Sequence, residues 1–234
     1  MSLGEPLVIK SISVTNFGPL EQVELELGKI NLFIGEAGLG KSWALIALEF
    51  LTEFSQATTI TSKYLRKGSA SMAVEIEWSD GVRGCWRYQK EDKDTLKRTQ
   101  SAEFGSRPPF TGLVHIQGYP GTPRTWSPSM GEKKMTAFRR SLGALPENGI
   151  LTLENPEAFL SRRFQEQVVQ ELCALIRIGN HQILVETHGL FFYLALKKQI
   201  ERKGILDADV VVHSFEPGGK VTRTDCASLM GWSL

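Results

Sequence analysis

The chain has 234 residues, 41% hydrophobic and 23% charged, enough for one large domain or a core with a smaller lobe. Its 27 basic and 26 acidic residues leave a formal net charge of +1, which excludes an overall basic nucleic-acid footprint and leaves room only for a local patch. No apolar run is as long as a membrane span, MSLGEPLVIK lacks a secretory core, and Cys85, Cys173 and Cys226 lie too far apart for a metal cluster, so the expectation is a cytoplasmic protein in a reducing compartment.

Residues 7–14 alternate and predict a strand that ends in the turn Asn16-Phe17-Gly18-Pro19. Val23, Leu25 and Leu27 alternate with acidic neighbours, the pattern of a half-exposed strand. An apolar run at 30–34 then leads into Gly35-Glu36-Ala37-Gly38-Leu39-Gly40-Lys41-Ser42, a complete G-x-x-x-x-G-K-[ST] phosphate-binding loop. Trp43 opens a helix with Leu45, Leu48 and Leu51 at helical spacing. In such a loop the glycines let backbone amides approach an anion, and the helix points its positive end at the phosphates. Lys41 adds charge at the β- and γ-phosphates, and the Ser42 hydroxyl is placed to bind Mg²⁺. Residues 72–78 and 82–89 flank Ser79-Asp80-Gly81, a hairpin signal. The polar stretch 91–112, with Pro108-Pro109, predicts a mobile surface loop, followed by a short strand at 113–116 and a turn-rich connector at 118–128.

Residues 131–142 predict a helix with Met135, Phe138 and Leu142 inward, and 150–153 a short buried strand. At 162–178 Phe164, Val168, Leu172, Leu175 and Ile176 share one helix face, which Gly179 can terminate. A strand at 183–185, a helix at 190–202 and a terminal hairpin at 210–215 and 221–224 complete the chain, with no internal repeat. Buried strands alternate with helices after residue 149, whereas the first part looks antiparallel. The fold class is therefore α/β: a central, mostly parallel sheet flanked by helices, with a smaller antiparallel β lobe.

A phosphate loop alone does not distinguish a kinase from a GTPase or a motor. The stretch Ile150-Leu151-Thr152-Leu153-Glu154-Asn155-Pro156-Glu157-Ala158 resembles the acidic strand motif of ABC-type ATPase heads, and most closely that of the OLD, RecF and SMC group. Pro128-Ser129-Met130-Gly131-Glu132 resembles their signature motif, Thr187-His188 their switch histidine and His115-Ile116-Gln117-Gly118 their glutamine loop. The order of the motifs is that of the family, and the resemblance spans about residues 7–215.

The resemblance implies an ATP-binding head in which Gly35 to Trp43 cradle the phosphates. Ser42, Gln117 and Glu154 would serve Mg²⁺, and Glu154, Asn155 and His188 would serve catalysis. Ser129, Gly131 and Glu132 would contact ATP held by a second subunit, giving an ATP-dependent homodimer that drives a protein partner or a DNA transaction. The chain reads as one ATPase domain: residues 1–116 the β lobe and phosphate loop, 117–148 the signature segment, and 149–234 the acidic-strand and switch-histidine core. There is no heptad stretch for a coiled-coil arm, and residues 225–234 leave no room for a fused nuclease. Ala37, Trp43 and Glu154 are tolerable departures from the pattern. Asn155 is the serious one, because it stands where the family has the glutamate that polarises the attacking water. An amide takes up no proton near neutral pH, and general-base help contributes about 10²- to 10⁴-fold, so hydrolysis of the β–γ bond is expected to be slow. The alternative is a non-hydrolysing ATP switch, and a small-molecule kinase is a third reading.

Overall fold

The computed structural model describes residues 8–54, 57–101, 113–116, 130–158 and 160–226. In chain order the first elements are β1 (Ile9–Phe17), β2 (Leu20–Glu26), β3 (Ile30–Ile34), α1 (Lys41–Phe54), β4 (Thr59–Thr61), β5 (Ser71–Trp78), β6 (Arg83–Lys90) and β7 (Thr95–Ser101). They are followed by β8 (Leu113–Ile116), α2 (Met130–Ala144), β9 (Ile150–Glu154), α3 (Arg162–Ile178), β10 (Gln182–Glu186), α4 (Leu190–Glu201), β11 (Val210–Phe215) and β12 (Val221–Asp225). The chain divides into two compact units, residues 1–27, 35–111 and 213–223 in one and 28–34, 112–212 and 224–234 in the other.

In the first unit a six-stranded sheet has the order β2-β1-β5-β6-β7-β4, with antiparallel pairing. Period-2 alternation puts Val23 and Leu25 of β2, and Met72, Val74, Ile76 and Trp78 of β5, on the buried face. The hairpin at Asp80-Gly81 forms, with Trp78 N–H on the Val82 carbonyl. Two expectations need correction. β1 does not stop before Asn16: Phe17 is fully buried and pairs with Leu20, so the turn shrinks to Gly18-Pro19. The expected loop at 91–112 contains β7, because Asp92 Oδ1 accepts the N–H groups of Asp94 and Thr95 and turns the chain back along β6. Among the described side chains of that strand only Leu96 is buried, which left its sequence almost without an apolar signal. Residues 102–112 of the expected loop, and the connector 118–128, lie outside the described residues.

Helix α1 is held in this unit by an aromatic cluster. Phe50 meets Phe17 (5.5 Å), Tyr64 (5.2 Å) and Tyr88 (5.7 Å) edge-on, and Trp43 meets Phe17 at 5.6 Å. Such contacts add about 0.5–1.5 kcal/mol each beyond burial and fix the helix that follows the phosphate loop.

The second sheet has the order β12-β11-β3-β10-β9-β8, in which β3, β10, β9 and β8 run parallel. Buried on both faces, β3, β9 and β10 read as mostly apolar runs, interrupted by Asn31 in β3, by Thr152 and Glu154 in β9 and by Gln182 and Glu186 at the ends of β10. Fully buried Asn31 resolves its polarity locally: its amide bonds the N–H and C=O of Gly28 and the carbonyl of Ile183 on β10. In the second unit Leu151, Leu153, Ile183 and Val185 pack with Val168, Leu172 and Ile176 of α3 and Met135 and Phe138 of α2. Ser161 caps α3 by accepting the Phe164 N–H, and Gly179 closes it on the Leu175 carbonyl. No helix among the described residues is long and apolar enough to cross a membrane.

His213 is buried on β11. Desolvation, helped by the nearby Arg223 charge, pushes its imidazole down from 6.5 to about 4. Between these values the unfolded chain binds a proton that the folded chain refuses, so stability rises from pH 4 to 6.5 and is lost as pH falls through that window. At roughly 1.4 kcal/mol per unit the group accounts for about 3 kcal/mol. Thermal unfolding followed from pH 7 to 4 should show this slope in wild type and a flatter profile in His213→Gln.

Candidate nucleotide site

The chain leaves the carboxyl end of β3 directly into the phosphate loop, 35–42. Gly35 (φ +134°), Gly38 (φ +82°) and Gly40 (φ +97°) have backbone angles that side chains rarely adopt. At Gly35 a Cβ would collide with the Phe215 carbonyl oxygen and at Gly40 with the Leu20 side chain, whereas at Gly38 it would meet open space. Glu36, Ala37 and Gly38 form the exposed crest of the loop, Leu39 is half-buried, and the first turn of α1 begins at Lys41. The Lys41 ammonium, 2% exposed, donates to the carbonyls of Gly35 (3.0 Å) and Glu36 (2.6 Å) and so holds the loop closed on itself. Ser42 is half-buried at the helix start. The Trp43 ring turns away to Phe17 and fills the space over Gly18, so toward a phosphate this residue offers its backbone. A helix start behind a glycine-rich crest, with one lysine and one hydroxyl, fits a triphosphate and a hard cation.

In the second unit the parallel register sets Glu154 of β9 level with Glu186 of β10, and Glu186 level with Phe33 of β3. The carboxyl ends of parallel strands are where open α/β sheets bind ligands. Glu154 is half-buried, and Asn155 follows it with φ +47°, its N–H donating to the Glu186 carbonyl (2.9 Å). His188 is exposed, and its Nε2 lies 3.8 Å from Glu186 Oε1. Thr187 ties this loop to β3 through its N–H on the Phe33 carbonyl, and its hydroxyl accepts the Gly189 N–H.

Two residues that carried no expectation belong to this arrangement. Glu186 is a carboxylate only 4% exposed at the end of β10. The signal was present, an acidic residue closing an apolar strand just as Glu154 does. Lys134 is 7% exposed on α2 and donates to the carbonyls of Asn155 (3.1 Å) and Ala158 (2.7 Å). Burial pushes its ammonium down to about 8, opposed by the Glu157 carboxylate. In the sequence it was one lysine of a charged helix. Gly131 and Glu132 lie in the first turn of α2, Glu132 exposed, while Gln117 and Ser129 lie outside the described residues. His181 is buried against Gly179.

No protein-family model matches the chain. A stretch of 62 residues is 42% identical to the DNA replication and repair protein RecF of Phocaeicola vulgatus, covering 26% of this chain and 17% of that protein's length. An SMC head domain from Thermotoga maritima superposes with a TM-score of 0.61 at 14% identity, covering 93% of this chain and 98% of that one. An SMC head bound to the C-winged helix domain of ScpA gives 0.63 at 14% identity, covering 95% and 99%. At this identity the likeness shows the fold alone, one shared with these SMC head domains.

The loop geometry separates two glycines. Gly38→Ala meets only the unfavourable backbone region, about 1–2 kcal/mol. Gly35→Ala adds a collision with main chain and should destabilise at least twice as much, read as the difference in thermal unfolding between the two variants.

Proposed function

We propose that this chain, an ABC-type ATPase head by fold, binds ATP with Mg²⁺ on the loop 35–42 and hydrolyses it slowly, closing with a second copy in the ATP state. The observation that carries the reading is the phosphate loop itself: three positive-φ glycines, buried Lys41 and half-buried Ser42 between a buried parallel strand and a helix start. The loop amides and Lys41 take the β- and γ-phosphates. Bound Mg²⁺ would neutralise charge on the phosphate oxygens, with Ser42, Gln117 and Glu154 as its assigned ligands. His188 is assigned to the γ-phosphate, and Ser129, Gly131 and Glu132 to ATP on the second copy. The protein works in a DNA transaction or on a protein partner, a role supported by analogy with RecF and with an SMC head that is bound to ScpA.

Water attack on the γ-phosphorus releases ADP and phosphate, and Asn155 can orient that water without accepting its proton. The backbone at Asn155 sharpens the point. A left-handed φ of +47° is tolerated by Asn several-fold better than by most side chains, so Asn155 also serves the turn itself. This observation favours a second reading, a switch that binds ATP without cleaving it.

Lys41→Ala should lose most of its ATP affinity, at least tenfold by calorimetric titration; unchanged affinity would remove the assignment. Wild type sized with ATP-Mg²⁺ should shift to a dimer, and Ser129→Arg should bind ATP as a monomer without that shift. Single-turnover cleavage then separates the two readings. Asn155→Gly keeps the left-handed turn and removes the amide, so a rate at least tenfold below wild type marks Asn155 as the residue that orients water. Intact ATP in the wild type after prolonged incubation marks the switch.

A further inference from the structure

Two polar contacts in the second unit join the start of α2 to the loop that carries His188. The first is made by Lys134, one turn inside α2, whose ammonium donates to the Asn155 and Ala158 carbonyls. These are the two ends of one tight turn, since the Asn155 carbonyl also accepts the Ala158 N–H at 3.0 Å. Pro156 stiffens the segment between them. The second contact is made by Glu157, in the middle of the same turn, whose Oε1 accepts the His188 N–H at 2.8 Å. Gly189 lets Glu157 come this close, because a Cβ there would stand 2.8 Å from the Glu157 Cγ.

We propose that Lys134 and Glu157 are positioning residues, a strut running from α2 through the 155–158 turn to the backbone of His188, so that the start of α2 and the His188 loop move as one. The surroundings make the strut stiff. Phe138, Leu153, Leu160 and Val168 line the same pocket as Lys134, and in such a medium an ammonium that gave up its carbonyl partners would stand desolvated and unpaired. The turn is therefore held against Lys134. If segment 129–132 senses ATP on a second copy, this path reports that event to His188. That consequence rests on the ATPase reading proposed above, whereas the strut does not.

The strut is tested without nucleotide. Lys134→Met keeps the side-chain volume among apolar neighbours and removes the donors, while Glu157→Leu removes the acceptor for His188. Amide hydrogen exchange, read residue by residue, should rise at least tenfold at Ala158 and His188 in Lys134→Met, with α3 and β10 unchanged. Glu157→Leu should raise His188 alone, and adding Lys134→Met to it should leave His188 exchange within threefold of the Glu157→Leu value. The proposal is overturned if Lys134→Met frees Ala158 and leaves His188 protected, if the two effects at His188 multiply, or if exchange rises throughout the unit as a merely structural lysine would make it. With ATP-Mg²⁺, Lys134→Met should bind within threefold of wild type and form ATP-induced dimers at least tenfold more weakly. A wild type that binds no ATP sinks the ATPase reading, and the exchange data still decide the strut.

Discussion

The register of the parallel strands β3, β10 and β9 is the constraint on which the candidate site depends. A one-residue slip in a sheet buried on both faces would turn each side chain to the opposite face and move each motif by a residue along the strand. Fully buried Asn31 opposes that slip, because besides its local bonds to Gly28 its amide donates to the Ile183 carbonyl of the neighbouring strand, a bond that a shifted pairing would break. Gln182 adds a second bond to the Gly28 carbonyl. The three strands therefore end level in the second unit, where the chain continues from β9 into the Glu154-Asn155 turn and from β10 into the Thr187-His188 loop.

Beyond each strand end, backbone geometry governs the chain more than side-chain chemistry does. The phosphate loop needs three glycines because the backbone at 35, 38 and 40 takes positive φ angles, and Gly35 needs to be glycine a second time because Phe215 main chain lies against it. The same logic reaches Asn155. Its position in the family pattern suggests a catalytic substitution, but its φ of +47° and its N–H on the Glu186 carbonyl show a residue that also has to bend the chain. One residue type can answer both demands, which is why the identity at 155 cannot be read as chemistry alone.

The second unit also holds charge where water is scarce. Lys134, Glu157 and Glu186 sit at or below the surface, each directing its polarity to main chain or to a neighbouring ring. Exposed ion pairs such as Arg139–Glu171 between α2 and α3 are screened and weak by comparison, on the order of 0–1 kcal/mol. Buried charge bonded to backbone resists rearrangement piecemeal, so a segment built this way moves as a block or not at all.

Much of this was legible in the chain. The phosphate loop is a contiguous motif whose residues act through their own backbone, period-2 and period-3.6 patterns marked β5 and α3 because each buries a regular apolar face, and β9 stood out as a short apolar run. The pattern was silent where burial was sparse: β7 buries Leu96 among half-buried and exposed polar residues, and its pairing was set by an aspartate turn that no apolar period announces. Phe17 looked like a turn residue until its partner Leu20 and the aromatic cluster claimed it. Lys134 and Glu186 were the larger omissions. A lysine on a charged helix and a glutamate after a strand look solvated in sequence, and only the packing of α2 on the 155–158 turn, and of β10 between β3 and β9, removes them from water. Sequence determined where the glycine-rich turn between β3 and α1 lies, because a contiguous motif acts through its own backbone. Tertiary structure decided which charges are buried and what they hold, because burial belongs to neighbours distant in the chain.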